Sequence, residues 1–396
     1  MPTFQGFQAS LVDPEAARPI RLDEPIALDA LPTPALIIDL DVFDANLDLM
    51  GKRLAAEGLG LRAHGKMHKC PIIARRQLDA GAVGICTATV SEAEVMVASG
   101  IDDVLITSPV VTDDKIARVM TLAGRSASLK LVVDHAAGAE RVNAAAAATG
   151  VSLTVLVDLD PGMGRTGIET GEAALTLVEL LESRCDNLQF GGLQMYAGNC
   201  MHIHGFGERR AKYLEVMQTG LQTRDLIVDA GVEVPICTGG GTGSFDLEGE
   251  LGLMTDIQAG SYAFMDVEYR EIGGTGPDGR ETSLFETFSP SLFVMVTAIS
   301  QPKTRMITVD AGYKAFASDT VKPAFANVEG VRFHWGGDEH GMVSLDNPSR
   351  MIELGDRLPM ITSHCDPTVN LYDYYYPVRD GVVEEVWPIA ARGRSQ

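Results

Sequence analysis

Long apolar runs and an excess of basic residues are both missing from this sequence of 396 residues. Its apolar runs are short and interrupted by charged residues, so no transmembrane helix is expected. Residues 1–6 show no basic flank followed by an apolar segment, so we expect no secretory signal. Because 54 acidic residues outnumber 32 Lys and Arg, the formal charge of −22 argues against nucleic acid or another polyanion as a partner. These absences favour an enzyme that acts on a small molecule.

Closely spaced cysteines are also missing. None of the six cysteines stands in a Cys-x-x-Cys arrangement, which argues against a zinc ribbon or a disulfide framework. We therefore expect reduced thiols and a cytoplasmic protein. The cysteines are scattered along the chain as Cys70, Cys86, Cys185, Cys200, Cys237 and Cys365.

Strand-like and helical patterns alternate between residues 60 and 266. This alternation predicts parallel strands joined by right-handed crossovers. Eight such units predict an α/β fold with a (β/α)8 TIM barrel, and an open doubly wound sheet is the alternative that periodicity leaves open. Ser91 followed by Glu94 is typical of a capping box, which predicts a helix from Ser91. The predicted strands cover residues 61–64, 84–88, 104–107, 129–133, 154–159, 190–195, 232–237 and 256–259.

The character of the sequence changes after residue 275, where helical patterns fade and short strand-like runs remain. This change predicts a C-terminal antiparallel β domain, which residues 1–34 are expected to join. We therefore predict a barrel domain over residues 35–275 and a β-rich domain built from residues 1–34 and 276–396.

A lysine between two histidines follows the first predicted barrel strand, in His64-Gly-Lys-Met-His-Lys69. Active sites of TIM barrels form at the C-terminal ends of the strands. A lysine placed there, with its pKa lowered by burial or by cationic neighbours, can form a Schiff base with a carbonyl group. A solvated basic turn is the alternative. Lys66 is thus a candidate catalytic residue, together with His64 and His68.

A glycine-rich turn, Thr238-Gly-Gly-Gly-Thr-Gly-Ser244, follows the seventh predicted strand. Consecutive glycines let backbone N–H groups approach an anion, and barrels commonly bind phosphate after their seventh and eighth strands. A lysine opposite a phosphate site indicates pyridoxal 5'-phosphate, with Arg165 facing the pyridine nitrogen. A surface ion pair is the alternative role for Arg165. The candidate cofactor-binding residues are Lys66, Arg165, Gln194, Tyr196, Thr238, Gly240, Gly241, Thr242, Gly260, Ser261 and Tyr262.

A histidine and an aspartate stand two residues apart in His364-Cys-Asp366. In an extended segment such residues share one face, so both could bind one ion. An imidazole and a carboxylate suit Mn²⁺, Mg²⁺ or Zn²⁺, with water in the remaining positions. A hydrogen-bonded turn without metal is the alternative. Asp338-Glu-His-Gly341 is a second polar cluster that could supply an acid, a base or a hydrogen-bond network.

With these motifs in place, the chain resembles the D-threonine aldolase family, which belongs with the alanine racemase-like pyridoxal phosphate barrels. The resemblance spans nearly the whole chain. The matching segments occur in order as Thr33-Pro-Ala-Leu-Ile-Ile-Asp-Leu-Asp41, His64-Gly-Lys-Met-His-Lys69, Val90-Ser-Glu-Ala-Glu94, Gly239-Gly-Gly-Thr-Gly243, Gln258-Ala-Gly-Ser-Tyr-Ala-Phe-Met-Asp266, Asp338-Glu-His-Gly341 and His364-Cys-Asp-Pro-Thr-Val-Asn370.

The resemblance implies a Schiff base on Lys66 and a divalent metal, Mn²⁺, Mg²⁺ or Zn²⁺, at His364 and Asp366. It implies an aldehyde-lyase that cleaves a D-configured β-hydroxy-α-amino acid to glycine and an aldehyde. A water on the metal, His64 or His68 would serve as the base. Related D-serine and 3-hydroxyaspartate dehydratases carry Cys where Asp366 stands and use zinc, so the aspartate favours aldol cleavage.

Several alternatives stay open beside this interpretation. The chain is also similar to 3-hydroxy-D-aspartate aldolases, so a D-threonine-like, D-phenylserine-like or β-carboxylate substrate is possible. Thr87-Ala-Thr89 departs from the Cys-Gln-Lys common in the family, and Tyr196-Ala-Gly-Asn199 is dehydratase-like. A dehydratase or racemase of the same fold, or a non-catalytic pyridoxal phosphate carrier, is the alternative function. The expected partners are an amino acid substrate and a second copy in a homodimer, but neither nucleic acid nor membrane.

Overall fold

The computed structural model describes residues 17–396 and divides most of them between a closed parallel barrel and a mostly antiparallel sheet. The strands are β1 (Ile20–Ala27), β2 (Ala35–Asp39), β3 (Gly60–His64), β4 (Gly84–Thr87), β5 (Val104–Ile106), β6 (Lys130–Val133), β7 (Leu153–Asp160), β8 (Ile168–Glu169), β9 (Leu188–Met195), β10 (Ile236–Gly239), β11 (Asp256–Ile257), β12 (Gly274–Thr275), β13 (Glu281–Thr282), β14 (Leu292–Lys303), β15 (Met306–Val309), β16 (Ala324–Phe325), β17 (Val331–Trp335), β18 (Gly341–Leu345), β19 (Arg357–Ile361), β20 (Tyr374–Val378) and β21 (Val382–Pro388).

The helices are α1 (Leu40–Glu57), α2 (Pro71–Asp79), α3 (Val90–Ala98), α4 (Asp113–Ala123), α5 (Ala136–Thr149), α6 (Glu172–Arg184), α7 (Phe206–Asp229), α8 (Val267–Arg270) and α9 (Cys365–Val369). Six of these helices, α2 to α7, lie in the connections between barrel strands. Helix α1 leads into the first barrel strand, the short α8 follows the last one, and the short α9 lies between strands of the second sheet.

The barrel consists of eight parallel strands in the order β3-β4-β5-β6-β7-β9-β10-β11. Pairing of β11 with β3, and of β6 with β7, closes the sheet on itself. This closure confirms the predicted (β/α)8 barrel and excludes the open doubly wound sheet. The barrel interior is filled by the buried cluster Cys86, Leu105, Val132 and Leu156, because alternate residues of each strand point inward.

The first residue of α3 differs from the prediction. The Thr89 side chain accepts a hydrogen bond from the backbone N–H of Glu92, so the helix is capped two residues earlier than a Ser91 cap implies. Ser91 and Glu94 instead accept hydrogen bonds from Arg118 of α4. The capping-box pattern was therefore misassigned, because its two polar side chains serve a contact between helices.

The second sheet has ten strands and is antiparallel except where β2 pairs with β20. Residues 292–295 of β14 pair with β2, so Ala35–Asp39 belongs to this sheet and not to the barrel wall. The proposed division at residues 35 and 275 stays a prediction, and residues 1–16 of its N-terminal segment lie outside the described part of the chain. No helix within residues 17–396 has both the length and the apolar character needed to cross a membrane.

Two hydrogen bonds join the barrel to the part of the chain that carries the second sheet, and they hold the start of α9 over the barrel mouth. The carboxylate of Asp266, at the start of α8, accepts from the backbone N–H of Cys365 at 2.8 Å. The Tyr375 hydroxyl of β20 donates to the backbone oxygen of His68 at 2.7 Å. Both bonds are buried, so the loop that carries Lys66 and the segment that carries Asp366 are fixed relative to one another.

Candidate active site

A cavity of about 450 Å³ opens at the carboxyl ends of the barrel strands. The start of α9 forms one of its walls, because His364, just before this helix, and Asp366, in its first turn, both line the cavity. The structure brings most of the residues proposed from the sequence into this cavity. Those that line it are His64, Lys66, Arg165, Gln194, Tyr196, Gly240, Gly241, Thr242, Gly260, Ser261, His364 and Asp366.

Lys66 faces Asp366 across the cavity, with 3.7 Å between its Nζ and Asp366 Oδ1. The attraction of this carboxylate outweighs burial and raises the pKa of Lys66. This is the reverse of the lowered pKa that the sequence suggested, because the decisive neighbour is an acid from the second sheet. Lys66 is thus held by an opposite charge at the centre of the site.

His64 lines the cavity but has both ring nitrogens engaged. Its Nδ1 accepts from the backbone N–H of Lys66 at 3.4 Å, and its Nε2 lies 3.3 Å from the Thr107 hydroxyl. Burial, and then the charge of Lys66, lower its pKa well below the usual value for histidine. His64 is therefore a neutral ring fixed beside the lysine.

His68 does not line the cavity. It is fully buried, its Nδ1 accepts from the backbone N–H of Cys70, and its Nε2 lies 3.2 Å from Gln77 Oε1. Burial lowers the pKa of His68 to about 4. The ring is therefore held in the core, and the next residue, Lys69, has a φ of 53°. These contacts fix the loop behind Lys66.

The glycine-rich turn lines the cavity at Gly240, Gly241 and Thr242. A Cβ atom on Gly240, where φ is +66°, would lie 1.9 Å from Glu248 Oε1, so a side chain there has no room. After the neighbouring strand β11, a Cβ on Gly260 would lie 3.0 Å from the His64 backbone oxygen. Backbone with little side-chain cover at these points suits an anion such as a phosphate group.

Two of the proposed cofactor residues support the turn from behind. The Thr238 hydroxyl donates to Asp256 and accepts from Gln258 Nε2 at 3.2 Å. The backbone N–H of Tyr262 donates to the Thr242 hydroxyl at 2.9 Å. Thr238 and Tyr262 do not line the cavity, so the structure gives them packing and hydrogen-bonding roles.

Arg165 and Tyr196 form one contact within the cavity wall. The guanidinium carbon of Arg165 lies 5.4 Å from the centre of the Tyr196 ring, which is cation–π distance. Gln194, beside them, donates to Asp158 at 2.8 Å and accepts from Gln258 Nε2 at 3.1 Å. A planar ring bound between the lysine and the glycine-rich turn would meet this polar wall.

His364 and Asp366 approach one another, although not through an extended segment. His364 precedes the first turn of α9, which contains Asp366, so strand-like alternation does not explain their placement. His364 Nε2 lies 3.8 Å from Asp366 Oδ2. Within residues 17–396 no three His, Cys, Asp or Glu side chains form a set that could hold a metal. The protein would therefore supply two ligands, and such a site suits an ion that keeps several waters.

Three residues beside this pair escaped the sequence analysis: His202, Glu268 and Asp319. Asp319 Oδ2 lies 2.8 Å from His364 Nδ1. Glu268 lies between two histidines, 3.6 Å from His364 and 3.6 Å from His202, and its buried Oε2 has no hydrogen-bond partner. Glu268 belongs to the short helix α8, whereas His202 and Asp319 stand in loops, and only the fold brings the three together.

The polar cluster at Asp338 lies elsewhere. Asp338 and Glu339 are exposed and pair with Lys314 on the second sheet, at 3.8 Å and 2.6 Å. None of these residues lines the cavity. The cluster is a solvated turn beside β18.

Comparisons with known proteins identify the family of the chain. Residues 38–266 match the family model "Alanine racemase, N-terminal domain", and residues 291–378 match "Putative serine dehydratase domain". The D-threonine aldolase of an Arthrobacter species is 37% identical over 96% of this chain and 97% of its own length. A 3-hydroxy-D-aspartate aldolase of Paracoccus denitrificans is 36% identical over 92% of both chains.

A solved structure is similar over the same extent. The crystal structure of D-threonine aldolase from Filomicrobium marinum superposes with a TM-score of 0.89 and 36% identity, and covers 95% of this chain and 100% of its own. Fold and site together define an alanine racemase-like barrel with a second, mostly antiparallel sheet. The chain belongs to the D-threonine aldolase family.

Proposed function

We propose that this protein is a pyridoxal phosphate- and divalent metal-dependent aldolase. Its substrates would be D-configured β-hydroxy-α-amino acids, which it would cleave between Cα and Cβ to glycine and an aldehyde. The observation that carries the proposal is the 3.7 Å approach of Lys66 to Asp366, which supports placing the proposed Schiff-base lysine and the proposed metal-binding carboxylate in one cavity. We also propose a cytoplasmic homodimer.

The cavity residues fit pyridoxal phosphate in composition and position. Lys66 would hold the aldehyde carbon covalently, and the backbone of residues 240–242 would hold the phosphate. Arg165 and Tyr196 would contact the ring. When bound, the cofactor supplies an electron sink for the pair of electrons released from the Cα–Cβ bond.

The second half of the site would act on the β-hydroxyl group. His364 and Asp366 would hold a divalent metal, Mn²⁺ or Mg²⁺ with Zn²⁺ as the alternative, whose chemistry is to make a hydroxyl more acidic. The hard carboxylate favours Mn²⁺ or Mg²⁺ over Zn²⁺. Asp319 would fix the His364 ring by accepting from its Nδ1, which leaves Nε2 directed towards Asp366.

We propose His202 as the base that accepts the hydroxyl proton. Its ring lines the cavity, and burial lowers its pKa, so it is neutral at pH 7 and has a free lone pair. Both nitrogens of His64 are engaged, and His68 lies outside the cavity. Glu268, 3.6 Å from His202 Nδ1, would stabilise the protonated ring.

Dehydration is the second candidate function, because residues 291–378 resemble a serine dehydratase domain. A dehydratase would expel the β-hydroxyl group, and a soft thiolate ligand with zinc suits that step. Asp366 is a carboxylate, and the only cysteine beside it, Cys365, is buried. The ligand chemistry therefore supports carbon–carbon cleavage. A racemase of this fold would have no use for the His364–Asp366 pair.

The test is to incubate the purified protein, loaded with pyridoxal phosphate and Mn²⁺, with D-threonine, D-phenylserine and D-3-hydroxyaspartate. We expect glycine and the matching aldehyde from at least one substrate, and no product from L-threonine. Release of ammonia and a keto acid in step with substrate loss would contradict the aldolase proposal and indicate a dehydratase. Interconversion of D- and L-threonine without cleavage would indicate a racemase.

A further inference from the structure

The glycine-rich turn has a buried carboxyl group directly behind it. Glu248 is 3% exposed, and its Oε1 accepts a hydrogen bond from the Ser244 hydroxyl at 2.5 Å. Its Oε2 accepts from the hydroxyl of Tyr213, which α7 brings against the turn. A carboxyl group in such a place needs these bonds, because an unpaired buried carboxylate is costly.

The carboxyl group is in contact with the backbone that faces the cavity. Its Oε1 occupies the space that a side chain on Gly240 would need, only 1.9 Å from the position of that Cβ. The backbone N–H of Gly241 donates to the Ser244 hydroxyl at 3.2 Å, and Ser244 in turn donates to Glu248. Glu248 therefore fixes the orientation of the Ser244 hydroxyl, and this hydroxyl fixes the backbone of the turn at Gly241.

Within residues 17–396, no basic side chain balances this acid. The titratable groups that act on it are Tyr213 from α7 and Asp246 from its own loop, and Asp246 is a further acid. Burial raises the pKa of Glu248 to about 7, although the hydrogen bonds from Ser244 and Tyr213 oppose the rise. A phosphate dianion on the cavity face of the same turn would add a like charge through a few ångströms of dry protein.

We propose that Glu248 is a positioning residue of the anion-binding turn, and that it takes up a proton from solvent when a phosphate group binds at Gly240 and Gly241. The proposal rests on the cofactor of the proposed function. Protonation can keep both contacts, because the new O–H can donate to the Tyr213 oxygen, which reverses the direction of that hydrogen bond, while Ser244 continues to donate to Glu248.

The proposal predicts the sign of a pH effect. Since bound phosphate raises the pKa of Glu248, phosphate binding is strongest where Glu248 is already protonated and weakens as pH rises above about 7. One proton limits the change to about tenfold in affinity per pH unit. The phosphate's own second ionisation, near pH 6, is complete in this range.

The experiment titrates cofactor-free protein with pyridoxal phosphate and with pyridoxal, which lacks the phosphate, between pH 7 and pH 9. Both ligands react with Lys66 through the same aldehyde, so the contribution of Lys66 to binding cancels in the ratio of the two affinities. We expect this ratio to fall with pH in the wild type and to change less in Glu248→Gln. Because ionisations of the ligands are the same in both proteins, the difference between them reports Glu248. Glu250→Gln, an exposed acid paired with Arg210, is the matched control and should behave as the wild type.

A second variant protects the test against misfolding of Glu248→Gln. Tyr213→Phe removes a donor that stabilises the carboxylate, so the pKa of Glu248 should rise and the fall in the ratio should begin at higher pH. Equal slopes in the wild type and Glu248→Gln, or an unmoved profile in Tyr213→Phe, would overturn the proposal. If wild-type protein binds neither ligand, the cofactor assignment fails instead.

Discussion

Lys66 Nζ lies 3.7 Å from Asp366 Oδ1, although the two residues follow strands of different sheets and are 300 positions apart in the chain. The lysine follows β3 of the barrel, whereas the aspartate lies in α9, after β19 of the second sheet. The site is therefore complete only when the two sheets pack together. In the proposed function, cofactor attachment and metal binding fall to facing walls of the cavity, so variants on each wall should separate them.

Replacement of Lys66 tests the first wall. Lys66→Ala should lose the visible absorbance of a lysine-bound cofactor and more than about 10³-fold of the cleavage rate, because no other amine lines the cavity in the described chain. Lys52→Ala is the control, since Lys52 is exposed and pairs with Asp48 on α1. Cofactor still fixed to Lys66→Ala by borohydride reduction would contradict the assignment.

Metal removal tests the second wall. Exhaustive chelation should abolish cleavage of D-threonine and leave the cofactor absorbance nearly unchanged, because His364 and Asp366 are not needed to hold the cofactor on Lys66. Mn²⁺ or Mg²⁺ should restore the activity, and His364→Ala should resist this rescue. His340→Ala, an exposed histidine of the second sheet, should be rescued as the wild type is. Full activity from protein shown by elemental analysis to contain no metal would refute this prediction.

Asp319 should influence the metal without binding it. Loss of the acceptor at 2.8 Å from His364 Nδ1 frees the ring to rotate, so Asp319→Ala should weaken Mn²⁺ binding by about 10- to 100-fold. Asp319→Asn keeps an acceptor oxygen and should fall between the alanine variant and the wild type. Electron paramagnetic resonance of free Mn²⁺ measures the affinity, with Asp338→Ala as an exposed acidic control. Unchanged Mn²⁺ affinity in Asp319→Ala would leave the aspartate as a surface partner only.

The sequence predicted those parts of the molecule that depend on short-range patterns. Barrel strands lie within a few residues of their predicted bounds, and the strand predicted at residues 154–159 falls inside β7, because apolar patterns are local. Lys66 and the glycine-rich turn carry their chemistry in contiguous residues, so the site could be assembled from motifs.

What the sequence could not show depends on packing. His68 resembles His64 in the sequence, yet its contacts with Gln77 and with the backbone of Cys70 hold it in the core. The pKa of Lys66 moves upward because of an aspartate from the other sheet. His202, Glu268 and Asp319 share no recognisable motif, since each reaches the site from a different part of the chain. Orientation and electrostatics are properties of the fold, which a local pattern does not encode.

The glycine-rich turn offers a test of steric fit that is independent of activity. Gly240 and Gly150 have nearly equal φ values, +66° and +68°, so an alanine at either pays the same left-handed strain of about 1–2 kcal/mol. At Gly150, the end of α5, the new methyl group meets nothing within 4 Å. At Gly240 it meets the Glu248 carboxyl group, which cannot move aside because Ser244 and Tyr213 hold it. Gly240→Ala should therefore lower the melting temperature more than Gly150→Ala and weaken pyridoxal phosphate binding, which Gly150→Ala should not alter. Equal melting temperatures and equal cofactor affinities in the two variants would show that a methyl group at residue 240 does not clash with Glu248.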